Sequence, residues 1–388
     1  MAAKQPATAY DLAQARGLNA QINWIESRNN LPVCNSRPLR IGVDVSSVCN
    51  IKCIFCLADS GRKRANDEGA FADLSALATI EPVLPFLQRL IFSSYEAMLN
   101  PHFEDFINFI AKHQTSFNIF TNGLAVTPEW SEFLLAKGLG TMNLSFHGAS
   151  PKVYHDIMRG SSHETVMRNL MALKHNAAKH NPAFELTLVF CAMRRNIHEL
   201  EKMVHIAHHV GAKRIQVNYL LVTKPNTSYE EDSMYFHQDL YDYHVARATI
   251  EGAKIGVDVK YQPLFSEPYE KNIQTNPCYR PWEHLNITRD GGIAVCCGGG
   301  NGLGRKSDDF FSMWNSPTLQ IFRKKVNSDA PPLACRKCSR GRENPKDIRN
   351  HLTYLRSMPE EQAAARIEEI ERSLGKPVVI PSRALQMA

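Results

Sequence analysis

The chain has 388 residues, 44% hydrophobic and 22% charged, with 45 Lys and Arg against 39 Asp and Glu. This is ordinary globular composition, and a formal net charge of +6 without a Lys/Arg block is too mild to make nucleic acid the leading partner. The first residues, MAAKQPATAYDLAQARG, lack the apolar core of a signal peptide and no apolar run is long enough to span a bilayer, so the expectation is a soluble, cytoplasmic protein without a membrane partner.

In chain order, TAYDLAQARGLNAQINWIESRNN predicts a helix that covers the bottom of the following domain. Six strands are then expected: IGVDVSS, RLIFSS, FNIFTN, TMNLSFH, FELTLVFCA and RIQVNYLLV. Helical patterns separate them: DLSALATIEPVLPFLQ, HFEDFINFIAKHQ, PEWSEFLLAKG, HETVMRNLMALKHNAAKH and NIHELEKMVHIAHHVG, the third and fifth ended by glycine. A βα repeat of this kind means a parallel sheet with right-handed crossovers, as a partial barrel or a doubly wound open sheet. The apolar strands agree with a sheet covered on both faces. In either architecture functional groups belong at the carboxyl ends of the strands. Further on, YEEDSMYFHQDLYDYHVARATIEGAKIG reads as a helix with packing aromatics, and HLNITRDGGIAVC as strand–turn–strand about Asp290-Gly291. PEEQAAARIEEIERSLGKP reads as an amphipathic helix capped by Gly375.

Ten cysteines carry the chemical signal. Reducing cytosol disfavours structural disulfides, so clustered thiols point to metal or redox chemistry. Cys49, Cys53 and Cys56 lie together in DVSSVCNIKCIFCLADS, just past the first strand; Cys278, Cys296, Cys297, Cys335 and Cys338 lie near the end, and Cys34 and Cys191 stand apart. A structural zinc site closes with four ligands, usually as paired C-x2-C units. C-x3-C-x2-C instead supplies three thiolates and leaves a position open, and a [4Fe–4S] cube with three protein ligands keeps one iron free for a substrate or cofactor. The short GRKRAN cluster that follows is either a loop facing an anionic ligand or a solvated loop.

Cys49-x3-Cys53-x2-Cys56 after the first strand of a βα barrel, with aromatic Phe55 before the last cysteine, resembles the signature of the radical S-adenosylmethionine superfamily. The resemblance implies an α/β fold built on a partial (β/α)6 barrel. It implies that the open iron chelates S-adenosylmethionine, and that an electron from the cube cleaves it to a 5′-deoxyadenosyl radical that abstracts hydrogen from C–H bonds. A reducing protein such as flavodoxin or ferredoxin is the implied electron source. In the family a Gly-Gly-Glu-type segment after the second strand meets the methionine amino group. Here SSYEAMLNP stands there, so Glu96 matches the acid while Ser94 and Tyr95 replace glycines with residues whose Cβ atoms restrict backbone approach. Thr121-Asn122-Gly123 matches a common family turn, placing Asn122 at the cofactor, and LSFHGAS places Ser145 where the family reaches the ribose.

The second cysteine group, CYRPWEHLNITRDGGIAVCCGGG followed by LACRKC, resembles the auxiliary-cluster extension called SPASM, or its shortened form, twitch. The hairpin is expected to bring Cys278 and Cys296 together at its open end, with Cys335 and Cys338 completing four thiolates. No cysteine follows Cys338, so the resemblance favours twitch with one fully ligated auxiliary [4Fe–4S] cluster, two clusters in the chain altogether. A tetrahedral zinc on the same four thiolates stays open, and Cys297 is a spare that swaps as ligand, faces substrate or packs. The expected organisation is an N-terminal helical extension (1–40), the partial barrel (41–225), a helix and strand linker (226–275), the twitch- or SPASM-like hairpin plus helix (276–342) and a helical tail (343–388).

Fully ligated auxiliary clusters in this family accompany electron removal from a substrate radical, or electron delivery during turnover. The implied function is a radical oxidoreductase or epimerase acting on a small hydroxylated molecule, such as a sugar or aminocyclitol, or on a peptide. Cys191, near the end of the fifth strand, is the candidate hydrogen donor for an epimerase. Two other classes stay open: an enzyme modifying a protein or tRNA, which would be expected to carry a basic face or an added binding domain, and a non-catalytic iron–sulfur or zinc scaffold.

Overall fold

The computed structural model describes residues 9–58, 61–93, 95–268, 277–296, 302–307, 309–336 and 346–375, so Ser94, Cys297 and Cys338 lie outside the described residues. Six strands follow the expected runs: β1 Arg40–Val43, β2 Arg89–Phe92, β3 Phe117–Thr121, β4 Leu139–Ser145, β5 Glu185–Ala192 and β6 Arg214–Tyr219. Each is parallel to the next. The α/β class and the βα order are as expected, and the sheet continues past them. Strand β7, Asp258–Tyr261, pairs parallel with β6; β8, His284–Ile287, pairs parallel with β1; β9, Ile293–Ala294, returns antiparallel to β8. The spatial order is β9-β8-β1-β2-β3-β4-β5-β6-β7, with β9 and β7 as the two edges among the described residues. The C-terminal hairpin is thus built directly onto the first strand of the barrel.

Two expected helices are corrected. The stretch 73–88 breaks into a short helix, Ser75–Ala78, and a 3-10 turn, Glu81–Phe86, because Pro82 and Pro85 supply no N–H to an α-helical ladder. The helix expected from Tyr229 begins only at Gln238 and runs to Ile255. Before it the chain turns as 3-10 segments with a kink at Tyr229, and Ser233 is extended (φ −62°, ψ 132°). The other helices sit where the pattern places them, and Gly138 and Gly211, with φ of +98° and +76°, end two of them in the left-handed conformation that suits glycine.

The sheet has two different faces. Leu90, Phe92, Met142, Leu144, Leu188 and Phe190 are fully buried under the helices. On the opposite face, Asn118, Asn143, Thr187, Gln216 and Asn218 alternate with them. Asn143 donates to Asn118 at 3.1 Å, and all but Asn118 are half-buried. The strands are therefore not apolar on both sides, as first expected; one face carries these carboxamides and hydroxyls among Ile91, Phe120 and Val189, with Arg89, Glu185 and Arg214 at its starting end. Gly42 in β1 leaves room for one of these, since a Cβ there would stand 2.1 Å from Asn286 Oδ1. The N-terminal helix, Ala9–Arg28, lies under the starting ends of the strands, where Asn23 donates to Trp282 O at 2.6 Å and Asn19 to Arg37 O at 3.1 Å. Among the described residues no helix is long and apolar enough to cross a membrane.

Candidate active site

Past Asp44, whose N–H still bonds Ile287 O at 3.0 Å, the chain is held by bonds to neighbouring loops. Val45 O accepts from Asn100 Nδ2 at 2.8 Å, and Val48 O accepts from the N–H of Glu96 at 3.0 Å. Lys52–Cys53 then pairs antiparallel with Met158–Arg159, and the Ile54 N–H reaches Ile157 O. These bonds lay the three-cysteine loop beside the carboxyl ends of the strands.

Cys49, Cys53 and Cys56 are all half-buried. Burial pushes the Cys53 thiol up to about 12, Cys49 and Cys56 add to the rise, and Arg62 opposes it. Burial also raises Cys49. The three thiols are thus electrostatic neighbours, although among the described residues no three Cys, His, Asp or Glu side chains are already gathered about one point as a metal-binding group. A four-iron cube takes one thiolate per iron, so its ligands are spaced by the size of the cluster rather than drawn to a single ion. Three sheltered thiols that exchange protons for metal fit such a cube.

Glu96 is fully buried. Its two oxygens accept from Thr121 Oγ1 at 2.9 and 3.0 Å, Oε2 accepts from the Asn122 N–H at 2.9 Å, and the Met98 N–H bonds it as well. Burial raises its pKa to about 7 against these bonds. The Asn122 carboxamide donates to Asn50 Oδ1 at 2.8 Å and stands 3.9 Å from Cys49 Sγ. Tyr95 keeps a glycine-like backbone despite its Cβ, with φ of +46°, a conformation that costs an L-residue about 1–2 kcal/mol. Its hydroxyl donates to Ala58 O at 3.0 Å, and a Cβ at Gly61 would stand 2.5 Å from the Tyr95 hydroxyl oxygen. Gly61 therefore makes the space that Tyr95 occupies.

Ser145 ends β4 half-buried. Two residues on, His147 is buried, and its Nδ1 accepts from the Cys191 N–H at 3.0 Å. The ring proton is therefore on Nε2, and burial holds the imidazole neutral with its pKa lowered to about 3. Phe55 meets His147 edge-on, with ring centres 4.8 Å apart and planes at 84°. Cys191 is buried; burial raises its thiol strongly and Cys53 raises it further, which puts Cys191 on the cysteine-loop side of the sheet. Among the assigned residues, Cys49, Cys53, Cys56, Phe55, Glu96, Asn122, Ser145 and Cys191 thus share the carboxyl end of the sheet; Ser94 lies outside the described residues. LSFHGAS gives His147 no role in the sequence, and GRKRAN is legible only as a block that does not single out Arg62.

At the other cysteine group, the Asp290-Gly291 turn is formed, with Gly291 at φ +81° and Asn286 paired to Ala294. Cys278 precedes β8 and Cys296 follows β9, so both lie toward the open end of the hairpin, half-buried. Asn327 clamps Cys278, accepting from its N–H at 2.8 Å and donating to its carbonyl at 3.1 Å. Cys335 is buried in the short helix Leu333–Arg336; Cys338 and the spare Cys297 lie outside the described residues. Because β8 runs parallel to β1 with His284 opposite Arg40, this group enters at the starting ends of the strands. The first group lies past the carboxyl ends, so roughly 10 Å of strand separates the two.

The sequence model of the Radical SAM superfamily matches residues 43–207, and that of an iron–sulfur cluster-binding domain, SPASM, matches 278–339. The mycofactocin maturase MftC of Mycobacterium tuberculosis is 24% identical over 176 residues, which are 45% of this chain and 43% of that protein. The chain thus spans less than half the length of that relative. PqqA peptide cyclase of Gluconobacter oxydans is 23% identical over 321 residues, 79% of this chain and 84% of that one. Among solved structures, Streptococcus suis SuiB superposes with a TM-score of 0.59 at 13% identity, covering 83% of this chain and 75% of that one. SuiB bound to its precursor peptide SuiA superposes with a TM-score of 0.54 at 13% identity, covering 82% and 80%. At such identities the likeness is one of fold.

Proposed function

Because the chain belongs to the radical S-adenosylmethionine superfamily and carries a C-terminal SPASM domain, we propose that it remakes a C–H centre of a peptide, by oxidation or by epimerisation. The observation that carries this reading is a three-thiol loop opening beside a sheet face on which carboxamides and a hydroxyl are interspersed with apolar Ile91, Phe120 and Val189, the charged Arg89, Glu185 and Arg214 lying toward the starting ends of the strands. Asn118, Asn143, Thr187, Gln216 and Asn218 offer donors and acceptors in alternation, which suits the amides of a peptide. Relatives that mature or cyclise peptides support it.

When bound at Cys49, Cys53 and Cys56, the [4Fe–4S] cluster supplies the electron that cleaves S-adenosylmethionine. Glu96 holds the Thr121–Asn122 turn through Thr121 Oγ1 and the Asn122 N–H and also takes the Met98 N–H; with Thr121 bonding one oxygen rather than both, one of a carboxylate's roughly four acceptor positions would serve the methionine amino group. Ser145 faces the ribose and Phe55 stands beside the cluster. His147 fixes the backbone at Cys191. Cys278, Cys296, Cys335 and Cys338 would hold one auxiliary cluster with four thiolates, leaving it no iron open to substrate and suiting it to electron transfer. A flavodoxin or ferredoxin supplies electrons.

The test is anaerobic reconstitution with iron and sulfide, then an assay for 5′-deoxyadenosine from S-adenosylmethionine under dithionite. Release that rises with a mixed pool of short peptides, and not with sugars or aminocyclitols, is the expected result. No 5′-deoxyadenosine removes the reading; stimulation by sugars alone moves the substrate class.

A further inference from the structure

The three cations of GRKRAN part company in the fold. Lys63 donates to Glu68 O at 2.6 Å in an exposed bond, and the Arg64 N–H donates to Asp67 Oδ2 at 2.8 Å. Arg62 turns to the cysteines. Its Nη1 donates to Ile51 O, between Cys49 and Cys53, and its Nη2 lies 3.8 Å from Cys56 Sγ. Its charge is also felt at Cys49, at Cys53 and at Tyr95. The charges that oppose it at Cys49 are those of Glu96 and Cys56.

We propose that Arg62 is a positioning residue for the cluster of Cys49, Cys53 and Cys56, fixing the span between the first two thiolates and easing addition of the electron. This rests on the reading that those cysteines hold a [4Fe–4S] cube. Reduction takes the cube from [4Fe–4S]2+ to [4Fe–4S]1+ with one electron from a low-potential donor such as dithionite; no protein bond is made or broken, and one negative charge is added. A cation that donates toward a ligand sulfur favours the more negative state, as hydrogen bonds to cluster sulfurs do. Arginine keeps its charge at every working pH, and its forked donors reach a carbonyl and a sulfur at once.

The experiment is a dithionite titration of the reconstituted full-length protein without S-adenosylmethionine, followed by electron paramagnetic resonance. The signal of this cluster is the one lost when Cys49, Cys53 and Cys56 are all changed to Ala. Arg62→Gln should disfavour reduction at least tenfold, a midpoint lowered by about 59 mV for one electron, and Arg62→Lys should recover most of the shift. If Arg62→Gln fails to retain iron, Arg62→Lys should restore it and carry the comparison. An unmoved midpoint with the signal present overturns the inference, and so does a loss of S-adenosylmethionine affinity alone, which would make Arg62 a ligand-binding group. A parent protein with no four-iron signal overturns the proposed function as well.

Discussion

Asn122 joins Glu96 to Cys49: its N–H bonds Glu96 Oε2 at 2.9 Å while its carboxamide stands 3.9 Å from Cys49 Sγ. Glu96 itself follows β2, its own N–H is bound to Val48 O just before Cys49, and its carboxylate is bound to the end of β3. One buried acid therefore ties three strand ends together, and the placing of the first thiol depends on it.

The acid and His147 give stability opposite pH dependences. Glu96, raised to about 7, contributes stability that is full below its unfolded value near 4.5 and is lost as pH rises toward about 7. His147, lowered to about 3, contributes stability present above its unfolded value near 6.5 and lost as pH falls. Between about pH 5 and 6.5 the two slopes cancel, one proton against one. Glu96→Gln keeps an acceptor for Asn122 but removes the first slope. Urea unfolding of the metal-free variant should therefore gain about 1.4 kcal/mol per pH unit over that window relative to the parent. Equal slopes would show that Glu96 is not held as described.

Metal content separates the two cysteine groups. The protein prepared without oxygen should carry roughly eight irons, as two four-iron cubes. Changing Cys49, Cys53 and Cys56 to Ala should leave about four and abolish S-adenosylmethionine cleavage, whereas changing Cys278 and Cys296 to Ala should leave about four at the first site with cleavage intact. Iron and sulfide assays read both, and zinc in place of iron would sink the assignment.

The six parallel strands were legible because each is a short apolar run between turn residues, and the cysteine spacing was legible because it is local. What escaped depends on contacts far apart in the chain. The pairing of His284 with Arg40, which welds the hairpin to the barrel, has no trace in either segment alone. Strand β7 is only Asp258–Tyr261, with two exposed residues and a weak alternation. Arg62 could not be told from Lys63 and Arg64, since the path of the loop decides which cation turns inward. The polar face was hidden among apolar neighbours: Asn143 and Thr187 each sit inside an apolar run, and only the register sets them side by side.

Gly148, next to His147, tests how tightly this end is packed. A Cβ there would stand 2.5 Å from Tyr154 N and 2.9 Å from Tyr154 Cα, backbone atoms that cannot rotate away. Gly148→Ala should therefore cost about 1–3 kcal/mol. Gly42→Ala, although its Cβ would stand 2.1 Å from Asn286 Oδ1, should cost less, because a carboxamide can turn. Thermal unfolding of the two variants decides; the reverse order would contradict the packing.

Cys191 decides between oxidation and epimerisation. An epimerase that takes hydrogen from one face of a carbon must return another to the opposite face, and a thiol is a fitting donor because its S–H bond is weak enough to quench a carbon radical. Cys191 ends the row of β5 that includes Thr187 and Val189, and Cys53 is felt at its thiol, so the sulfur is on the side where a substrate would lie. Burial raises its pKa strongly, which keeps the sulfur protonated, as a hydrogen-atom donor must be. Asn196 steadies the segment by donating to both Cys191 O and His147 O at 2.9 Å. If the enzyme epimerises, Cys191→Ala should still release 5′-deoxyadenosine yet give no inverted product, and the parent in D2O should place one deuterium on the product carbon. Chiral chromatography and mass spectrometry read both. A product short of two hydrogens, free of solvent deuterium and made equally well by Cys191→Ala, would assign the enzyme to oxidation and leave Cys191 a packing residue.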